Sequence, residues 1–308
     1  MARNLTEVRN WNANLKTARP ELVALFVGGT SGIGRNTAIK LAGAVATPTI
    51  FIVGRSESAG AEVLEELKAA NKNGTYSFHS ADMSHLRNVD DLCQKLKSDM
   101  PALDLLFLSS GNLAFSKQEG DGNIDVNHII RYYSRMRFVQ KLLPALEASR
   151  SPRVVSVLAG GKEIMIEEDN LDLKKSYSFG ASASYGATMT SAAFEKLAVD
   201  YPSISFMHVF PGIVSTPLFK KFLGSIMGTV VGFLSKPLSM SASESGEWHT
   251  YLSTAEAFKS KNASGNGSYI LNYDGKDLTN DAIMAELREK DFPTKVWNHT
   301  LDTFERIV

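Results

Sequence analysis

The chain is nearly free of cysteine and carries no excess of either charge. Cys93 is the only cysteine among 308 residues, so an intrachain disulfide is excluded and a reducing, cytoplasmic location is expected. The chain has 33 lysine and arginine residues and 33 aspartate and glutamate residues. It therefore lacks the excess of positive charge that is typical of nucleic-acid-binding proteins. The six histidines lack the spacing of metal ligands, and no metal site is expected.

Long hydrophobic runs and a signal sequence are missing as well. The most apolar stretch, residues 222–234, is shorter than the roughly 20 residues that a membrane helix needs. The first 20 residues include Arg3, Glu7 and Arg9 and have no apolar core, so neither an integral membrane segment nor a secretory peptide is predicted. The hydrophobic content of 44% suffices for a large core, and we expect one domain over residues 1–308.

A glycine-rich loop follows the first predicted strand. Residues 22–27 form an apolar run typical of a buried parallel strand, and residues 36–46 have the spacing of a helix. Between them, Gly28 permits a tight turn, Gly32 permits close approach to a pyrophosphate, and Gly34 permits close helix packing. The helix N-terminus would face the phosphates, so the loop predicts a dinucleotide site.

The second predicted strand, residues 49–53, is followed by Arg55 where many such sites have an acidic residue. An acidic side chain would accept hydrogen bonds from a ribose hydroxyl, whereas a guanidinium matches a 2′-phosphate. This position therefore favours NADPH over NADH. The alternative is that Arg55 is a solvated cation at the end of a strand.

On these residues the chain resembles the short-chain dehydrogenase/reductase family, from about residue 22 to residue 273. Further landmarks are Asp82 after the third strand, residues 109–111 at the end of the fourth strand and the Pro-Gly-x-x-x-Thr turn at residues 211–216. The resemblance implies an α/β fold of the Rossmann type, in which a doubly wound parallel sheet is flanked by helices. Residues 281–289 and 294–307 are predicted as helices of a C-terminal extension, residues 281–308.

The resemblance also implies which residues contact the cofactor, NADPH or NADP+. They are Gly28, Thr30, Ser31, Gly32, Ile33, Gly34, Arg55, Ser56, Asp82, Met83, Ser110, Gly111, Pro211, Gly212, Val214 and Thr216.

The predicted active site departs from the family in its Tyr-x-x-x-Lys pair. Alignment on Tyr185 places Met189 at the lysine position. Two other alignments place Ser184 and Thr188, or Ala183 and Ala187, at the tyrosine and lysine positions. In the family that lysine lowers the pKa of the tyrosine, and a phenol with an ordinary pKa of about 10 is a poor acid at neutral pH. Tyr185 would then orient substrate, or pack as an ordinary aromatic residue of a helix.

Two other family positions are also altered. Leu158 or Ala159 falls where the family has a serine at the end of the fifth strand. The family asparagine lies about thirteen residues before a Leu-Pro pair, and counting back from Pro144 gives Arg131. A guanidinium there would hold a carbonyl or anionic oxygen beside the nicotinamide. The alternative is an arginine on the surface of a helix.

An acidic segment, residues 163–172, lies between the fifth strand and the helix of Tyr185. Glu167 and Glu168 follow the apolar pair Met165 and Ile166, so we expect one of them to act as a proton donor or to hold a cation. The alternative is that these carboxylates are simply solvated.

The missing lysine narrows the expected chemistry. Ketone reduction must protonate a developing alkoxide. Reduction of an iminium ion gives a neutral amine without such a proton, and reduction of an activated C=C bond gives an enolate that needs a hydrogen-bond donor. We therefore expect an NADPH-dependent reductase of a C=N or activated C=C bond. The alternatives are a redox-neutral cyclase with structural NADP and a cofactor-binding scaffold without catalysis.

The substrate and partners follow from two further features. In the family, the region of residues 222–234 covers the substrate, so its apolar character implies a hydrophobic small molecule; a membrane-surface patch is the alternative. Residues 132–138 and 187–190 resemble atypical fungal reductases, some of which act in indole-alkaloid pathways where reduction is coupled to Pictet-Spengler or Diels-Alder ring formation. Family members usually form dimers or tetramers, so a homo-oligomer is one expectation.

Overall fold

The computed structural model describes residues 4–111, 116–215, 240–260 and 267–308. Thr216 and the apolar stretch of residues 222–234 lie outside the described residues.

The described residues build one parallel sheet at the centre of the fold. Its strands are β1 (Glu21–Val27), β2 (Thr47–Gly54), β3 (Thr75–Ser80), β4 (Leu105–Leu108), β5 (Arg153–Val157), β6 (Ser205–Phe210) and β7 (Ser268–Asn272). They lie in the order β3-β2-β1-β4-β5-β6-β7. The direction of winding reverses beside β1, where Val27 pairs with Val53 on β2 and with Leu108 on β4. Ligands bind at such a reversal, at the carboxyl ends of the strands.

Helices cover both faces of this sheet. They are α1 (Leu5–Ala18), α2 (Gly32–Ala44), α3 (Glu57–Ala70), α4 (Leu86–Leu96), α5 (Ser134–Glu147), α6 (Phe179–Asp200), α7 (Ala242–Thr254), α8 (Asp281–Glu289) and α9 (Phe292–Ile307). A short helix, Val126–His128, and a π-helical turn, Ile129–Tyr133, lead into α5. Single 3₁₀ turns occur at Asp121–Asn123, Glu168–Asn170 and Glu256–Phe258.

The core is divided by the sheet because successive side chains of a strand point to opposite faces. Leu25 and Val27 belong to the cluster on one face, whereas Ala24 and Phe26 belong to the cluster on the other. Burial of both faces explains why the inner strands β1, β2 and β4 are nearly continuous apolar runs, whereas the edge strand β3 is more polar and only partly buried. The predicted doubly wound parallel α/β fold is confirmed. No helix in the described ranges is both long enough and apolar enough to span a membrane.

The first helix, α1, was not predicted, because its sequence is polar and lacks a strong apolar stripe. It is anchored by side chains that reach the distant helix α7. The Trp11 indole donates to Thr254 Oγ1 at 3.1 Å, and Asn12 Nδ2 donates to the backbone oxygen of Glu247 at 3.0 Å. This helix therefore depends on tertiary contacts.

The two C-terminal helices occur as predicted, except that α9 begins at Phe292, two residues earlier. The attachment of α9 centres on Asp172, a buried member of the acidic segment. Its carboxylate accepts hydrogen bonds from the Tyr133 hydroxyl at 2.5 Å, from His299 Nε2 at 3.0 Å and from Arg306 Nη2 at 3.2 Å. Burial opposes ionisation, but the hydrogen bonds from His299 and Tyr133 outweigh it and hold the pKa of Asp172 below its usual range. One carboxylate thus ties α9 to the π-helical turn.

We expect Asp172→Asn to lower the free energy of unfolding by about 2–3 kcal/mol at neutral pH, because buried donors lose their charged acceptor. Urea unfolding measures this change. Asp302→Asn, at an exposed position of α9, is the matched control and should change stability by less than about 0.5 kcal/mol.

The contribution of Asp172 should also depend on pH. Its pKa is lower in the folded protein than in the unfolded chain, so the stabilisation is present above an unfolded pKa of about 3.9 and is lost below it. The gap between wild type and Asp172→Asn should narrow from about pH 6 to about pH 3. A constant gap would contradict the assigned role.

Candidate functional site

The glycine loop after β1 packs directly against the end of β4. Gly28 has a φ of +88°, and a Cβ atom there would lie 2.5 Å from the backbone nitrogen of Ser110. A Cβ atom on Gly34 would collide with Ser109 Oγ and would lie 2.5 Å from the carbonyl oxygen of Gly28. Glycine is therefore required at both positions for steric reasons.

The first turn of α2 opens onto a cleft of about 360 Å³ beside this loop. The cleft wall includes Thr30, Ser31, Gly32 and Ile33. The N-cap residue, Ser31, makes no side-chain capping hydrogen bond, and Gly32 has a φ of +57°. The first-turn amides of a helix lack intrahelical acceptors and favour an anion, so this part of the cleft is suited to phosphate groups.

One end of the cleft is formed by the end of β2. Gly54 approaches Thr30 so closely that a Cβ atom would lie 2.6 Å from Thr30 Cγ2. Arg55 is exposed, lines the cleft and also lines an adjoining cavity that contains Asp82. Arg35, on the first turn of α2, is instead held by Glu66 at 2.8 Å. Arg55 forms no ion pair with any described residue, so its guanidinium can bind a ligand.

Arg131 lies at the opposite end of the cleft, on the π-helical turn before α5. Its Nη1 donates to the carbonyl oxygen of Phe179 at 3.3 Å and to Ser182 Oγ at 3.1 Å. Its guanidinium carbon lies 4.4 Å from the centroid of the Phe179 ring. Burial lowers the pKa of Arg131 from its ordinary value. The helix α6 thus fixes this arginine on the cleft wall.

A second arginine, Arg135, lies one helical turn further along and also lines the cleft. Its side chain joins the ends of two strands. Nη2 donates to the carbonyl oxygen of Ser110 at 2.7 Å, and Nη1 donates to Ser156 Oγ at 2.7 Å and to the carbonyl oxygen of Val157 at 2.9 Å. Arg135 was not identified from the sequence. Its four-residue spacing from Arg131 places both side chains on the same helix face and could have indicated it.

The two arginines give this end of the cleft an uncompensated positive charge. Neither forms an ion pair with a carboxylate of the described residues, although Asp125 interacts with Arg131 at longer range. Burial, followed by repulsion from Arg131, lowers the pKa of Arg135 to about 9. The described wall at this end is completed by Ser110, Gly111, Val157, Leu158 and Pro211. Among the described lining residues there is no Tyr, Lys, His, Asp or Glu.

The helix α6 packs behind Arg131, but none of its residues is among the described lining residues of the cleft. A Cβ atom on Gly186 would lie 3.5 Å from Arg131 Cβ and 3.7 Å from Leu158 Cδ2. Tyr185 is directed elsewhere, because its hydroxyl accepts a hydrogen bond from the backbone nitrogen of Glu167 at 3.2 Å. Tyr185 is therefore engaged with the acidic segment and is not among the lining residues of the cleft.

Glu167 and Glu168 are both exposed. Glu168 pairs with Lys295 of α9 at 2.8 Å, and Glu167 accepts a hydrogen bond from Asn170 at 3.4 Å. Met165 and Ile166 pack against the core, which turns the following residues toward solvent. The structure thus places neither glutamate on the described cleft wall.

A different acid of the segment, Glu163, is buried outside the cleft wall. Ser191 Oγ donates to Glu163 Oε1 at 2.7 Å and also lies 2.7 Å from His208 Nδ1. The other ring nitrogen of His208 accepts a hydrogen bond from the backbone nitrogen of Ala159 at 3.2 Å. Both histidine nitrogens and the serine are engaged, so this cluster serves to join β5, β6 and α6.

The remaining predicted cofactor residues lie at several places around the cleft. Met83, Ser110, Gly111 and Pro211 line it, together with the glycine loop and Arg55. Asp82 lines the adjoining cavity, and Ser56 caps α3 by accepting from the backbone nitrogen of Ala59. Gly212 has a φ of +71°, and Val214 is buried and bridges to Met240.

Known proteins with similar sequences share nearly the full length of this chain. "Oxidoreductase andH" of Emericella variicolor is 43% identical, with 99% of this chain and 97% of that protein covered. "Oxidoreductase AN1596" of Emericella nidulans is 37% identical and covers 99% of both chains. An "NmrA-like family domain-containing oxidoreductase notO" of an Aspergillus species is 32% identical, with 98% and 94% covered.

Solved structures share the fold at low identity. YwfH, described as an NADPH-dependent reductase involved in bacilysin biosynthesis, superposes with a TM-score of 0.64 at 17% identity, over 83% of this chain and 97% of that one. L-sorbose reductase from Gluconobacter frateurii, solved with NADPH and L-sorbose, gives 0.63 at 18% identity, over 84% and 97%.

The family model described as short chain dehydrogenase matches residues 22–224, more than half of the chain. The resemblance stated from the sequence is thereby confirmed, since the match spans the glycine loop, the cleft and the two arginines. The chain belongs to the short-chain dehydrogenase family.

Proposed function

We propose that this protein is an NADPH-dependent reductase that adds hydride to a C=C bond conjugated to a carbonyl group, in a hydrophobic small molecule. The observation that carries the proposal is the composition of the cleft. It combines a phosphate-binding loop with a wall whose described polar side chains near Arg131 include a second arginine but no acid. The reduction of a C=N bond is the second candidate acceptor.

The cleft fits a dinucleotide in three respects. The contacts of Gly28 and Gly34 leave room only for backbone, the first turn of α2 presents amides, and Arg55 offers a guanidinium for a 2′-phosphate. YwfH is an NADPH-dependent reductase and L-sorbose reductase was solved with NADPH, which supports the same cofactor here. A bound NADPH would supply the hydride.

The lack of an acid among the described lining residues argues against ordinary ketone reduction. Hydride addition to a ketone carbon leaves an alkoxide, which must receive a proton at oxygen. Addition to the β-carbon of a conjugated carbonyl breaks the C=C π bond and leaves an enolate, whose charge is spread over oxygen and the α-carbon. Arg131 can stabilise the enolate oxygen by hydrogen bonding, and water can then supply the proton to the α-carbon. This chemistry needs a donor of charge-assisted hydrogen bonds and no Tyr-Lys pair.

The charge of the cleft favours the conjugated C=C bond over an iminium ion. An iminium substrate is a cation, and Arg131 and Arg135 would both repel it because neither is neutralised by a described carboxylate. An enolate is an anion and is attracted by the same charges. The arginines therefore favour the conjugated C=C bond among the two acceptors that the sequence left open.

The wall of the cleft supports an apolar substrate. Val157, Leu158 and Pro211 line it close to the two arginines. These apolar side chains are suited to a hydrophobic ligand.

The proposal is tested by following NADPH oxidation with three matched sets of hydrophobic substrates: conjugated enones, saturated ketones and cyclic imines. We expect oxidation with the enones, and transfer of deuterium from 4-deuterated NADPH to the β-carbon of the product. Oxidation with imines alone would move the proposal to the C=N acceptor. Tight NADPH binding without oxidation would contradict a reductase and favour the cyclase or the scaffold.

Arg131→Met should lower kcat/KM for the enone by about 10²–10³-fold, because the enolate loses its charged hydrogen-bond donor. The Kd of NADPH, measured by cofactor fluorescence, should stay within about twofold, since the glycine loop and Arg55 are intact. Arg87→Met is the matched control, because Arg87 is an exposed arginine on α4 that does not line the cleft. An unchanged kcat/KM in Arg131→Met would refute the role of Arg131.

Gly34→Ala should weaken NADPH binding by at least about tenfold, because the new methyl group collides with Ser109 Oγ and with the Gly28 carbonyl oxygen and so displaces the loop. Gly43→Ala provides a matched control on the same helix. There a Cβ atom would meet only the carbonyl oxygen of Ala70, at 3.9 Å, and binding should be unchanged. Equal NADPH affinity of the two folded variants, measured by calorimetry, would argue against binding at this loop.

A further inference from the structure

Arg135 differs from the other buried arginine of its helix, Arg137, in how its charge is neutralised. Arg137 donates to both carboxylate oxygens of Asp90, at 2.6 and 2.5 Å. Arg135 is 2% exposed, and its three hydrogen bonds end on neutral oxygen atoms. Its Nε is buried without any hydrogen-bond partner. Arg135 thus keeps a full positive charge in a place where water screens it little.

The position of this charge relative to a bound dinucleotide follows from the order in which the lining residues occur along the cleft. Arg55 lies at one end, the glycine loop lies in the middle, and Arg135 lies at the other end, at the carboxyl ends of β4 and β5. With the phosphates at the loop and the adenosine half toward Arg55, the nicotinamide half extends toward Arg135. This step rests on the proposed function, because it requires the cofactor to be NADPH.

The two redox forms of the cofactor differ in charge at that end. The nicotinamide ring is neutral in NADPH and carries a positive charge in NADP+. A fixed cation nearby therefore raises the free energy of the oxidised form and leaves the reduced form nearly unaffected. Arg131 acts in the same direction, but part of its guanidinium is available to substrate.

We propose that Arg135 makes the cleft select the reduced cofactor, so that NADPH binds more tightly than NADP+. The same preference speeds release of the oxidised cofactor after each reduction and disfavours the reverse reaction. The charge of Arg135, rather than its hydrogen bonds alone, is the source of the preference.

The test measures dissociation constants of NADPH, NADP+ and 2′,5′-ADP by calorimetry for wild type, Arg135→Lys and Arg135→Met. We expect the wild-type Kd of NADP+ to exceed that of NADPH by at least about tenfold. Arg135→Lys should retain most of this ratio, and Arg135→Met should reduce it by about tenfold. The Kd of 2′,5′-ADP, which lacks the nicotinamide, should be the same in all three proteins.

Two results would overturn the proposal. One is a wild-type ratio at or below one, which decides the question even if Arg135→Met does not fold. The other is an equal loss of the ratio in the Lys and Met variants, which would show that the hydrogen bonds of the guanidinium matter and its charge does not. Failure of both NADPH and 2′,5′-ADP to bind the wild type would instead refute the proposed cofactor.

Discussion

The site depends on the close contact between the loop after β1 and the end of β4. Gly28 lies against the backbone of Ser110, and the Ser110 carbonyl oxygen in turn accepts a hydrogen bond from Arg135. Arg135 continues the connection to Ser156 and Val157 on β5. These contacts hold the glycine loop, the ends of β4 and β5 and the guanidinium of Arg135 in fixed positions. Any side chain at Gly28 would collide with the backbone of Ser110 and so disrupt these contacts.

Arg131 and Arg135 form a cationic wall that lowers the stability of the fold. A buried charge without a counter-ion loses its hydration and does not recover the full free energy from other contacts. The fold offsets this cost locally by giving Arg135 three oxygen acceptors and Arg131 two oxygen acceptors and an aromatic face. Arg137 and Asp172, by contrast, have charged partners, whereas the buried Arg153, at the start of β5, donates to the carbonyl oxygen of Leu252 and forms no ion pair with a described residue. Arg131 and Arg135 differ from Arg153 because they line a cleft that a ligand can enter, which makes them the candidates for a functional role.

The elements that the sequence predicted are those whose signal is local. The glycine loop, the apolar strands and α8 each follow from a short run of residues whose conformation needs that residue type. The role of Arg135 depends on acceptors from β4 and β5, and the exposure of Glu167 depends on which neighbours pack inward. Such relations arise only when distant segments meet. The same limit applies to α1, whose polar sequence needs α7 to hold it in place.

The central claim is that reduction proceeds in a cleft whose described wall carries no titrating acid. It is tested most directly by the pH dependence of kcat/KM for the conjugated substrate, from about pH 6.5 to about 8.5. A bell-shaped or sigmoidal profile reports an essential group that changes protonation in that range, as a Tyr-Lys pair or a carboxylic acid would. We predict a flat profile, because the described polar side chains near the substrate are Arg131, Arg135 and Ser110, and none of them is a carboxylic acid, a tyrosine or a histidine. A tenfold fall on either side of neutrality would contradict it.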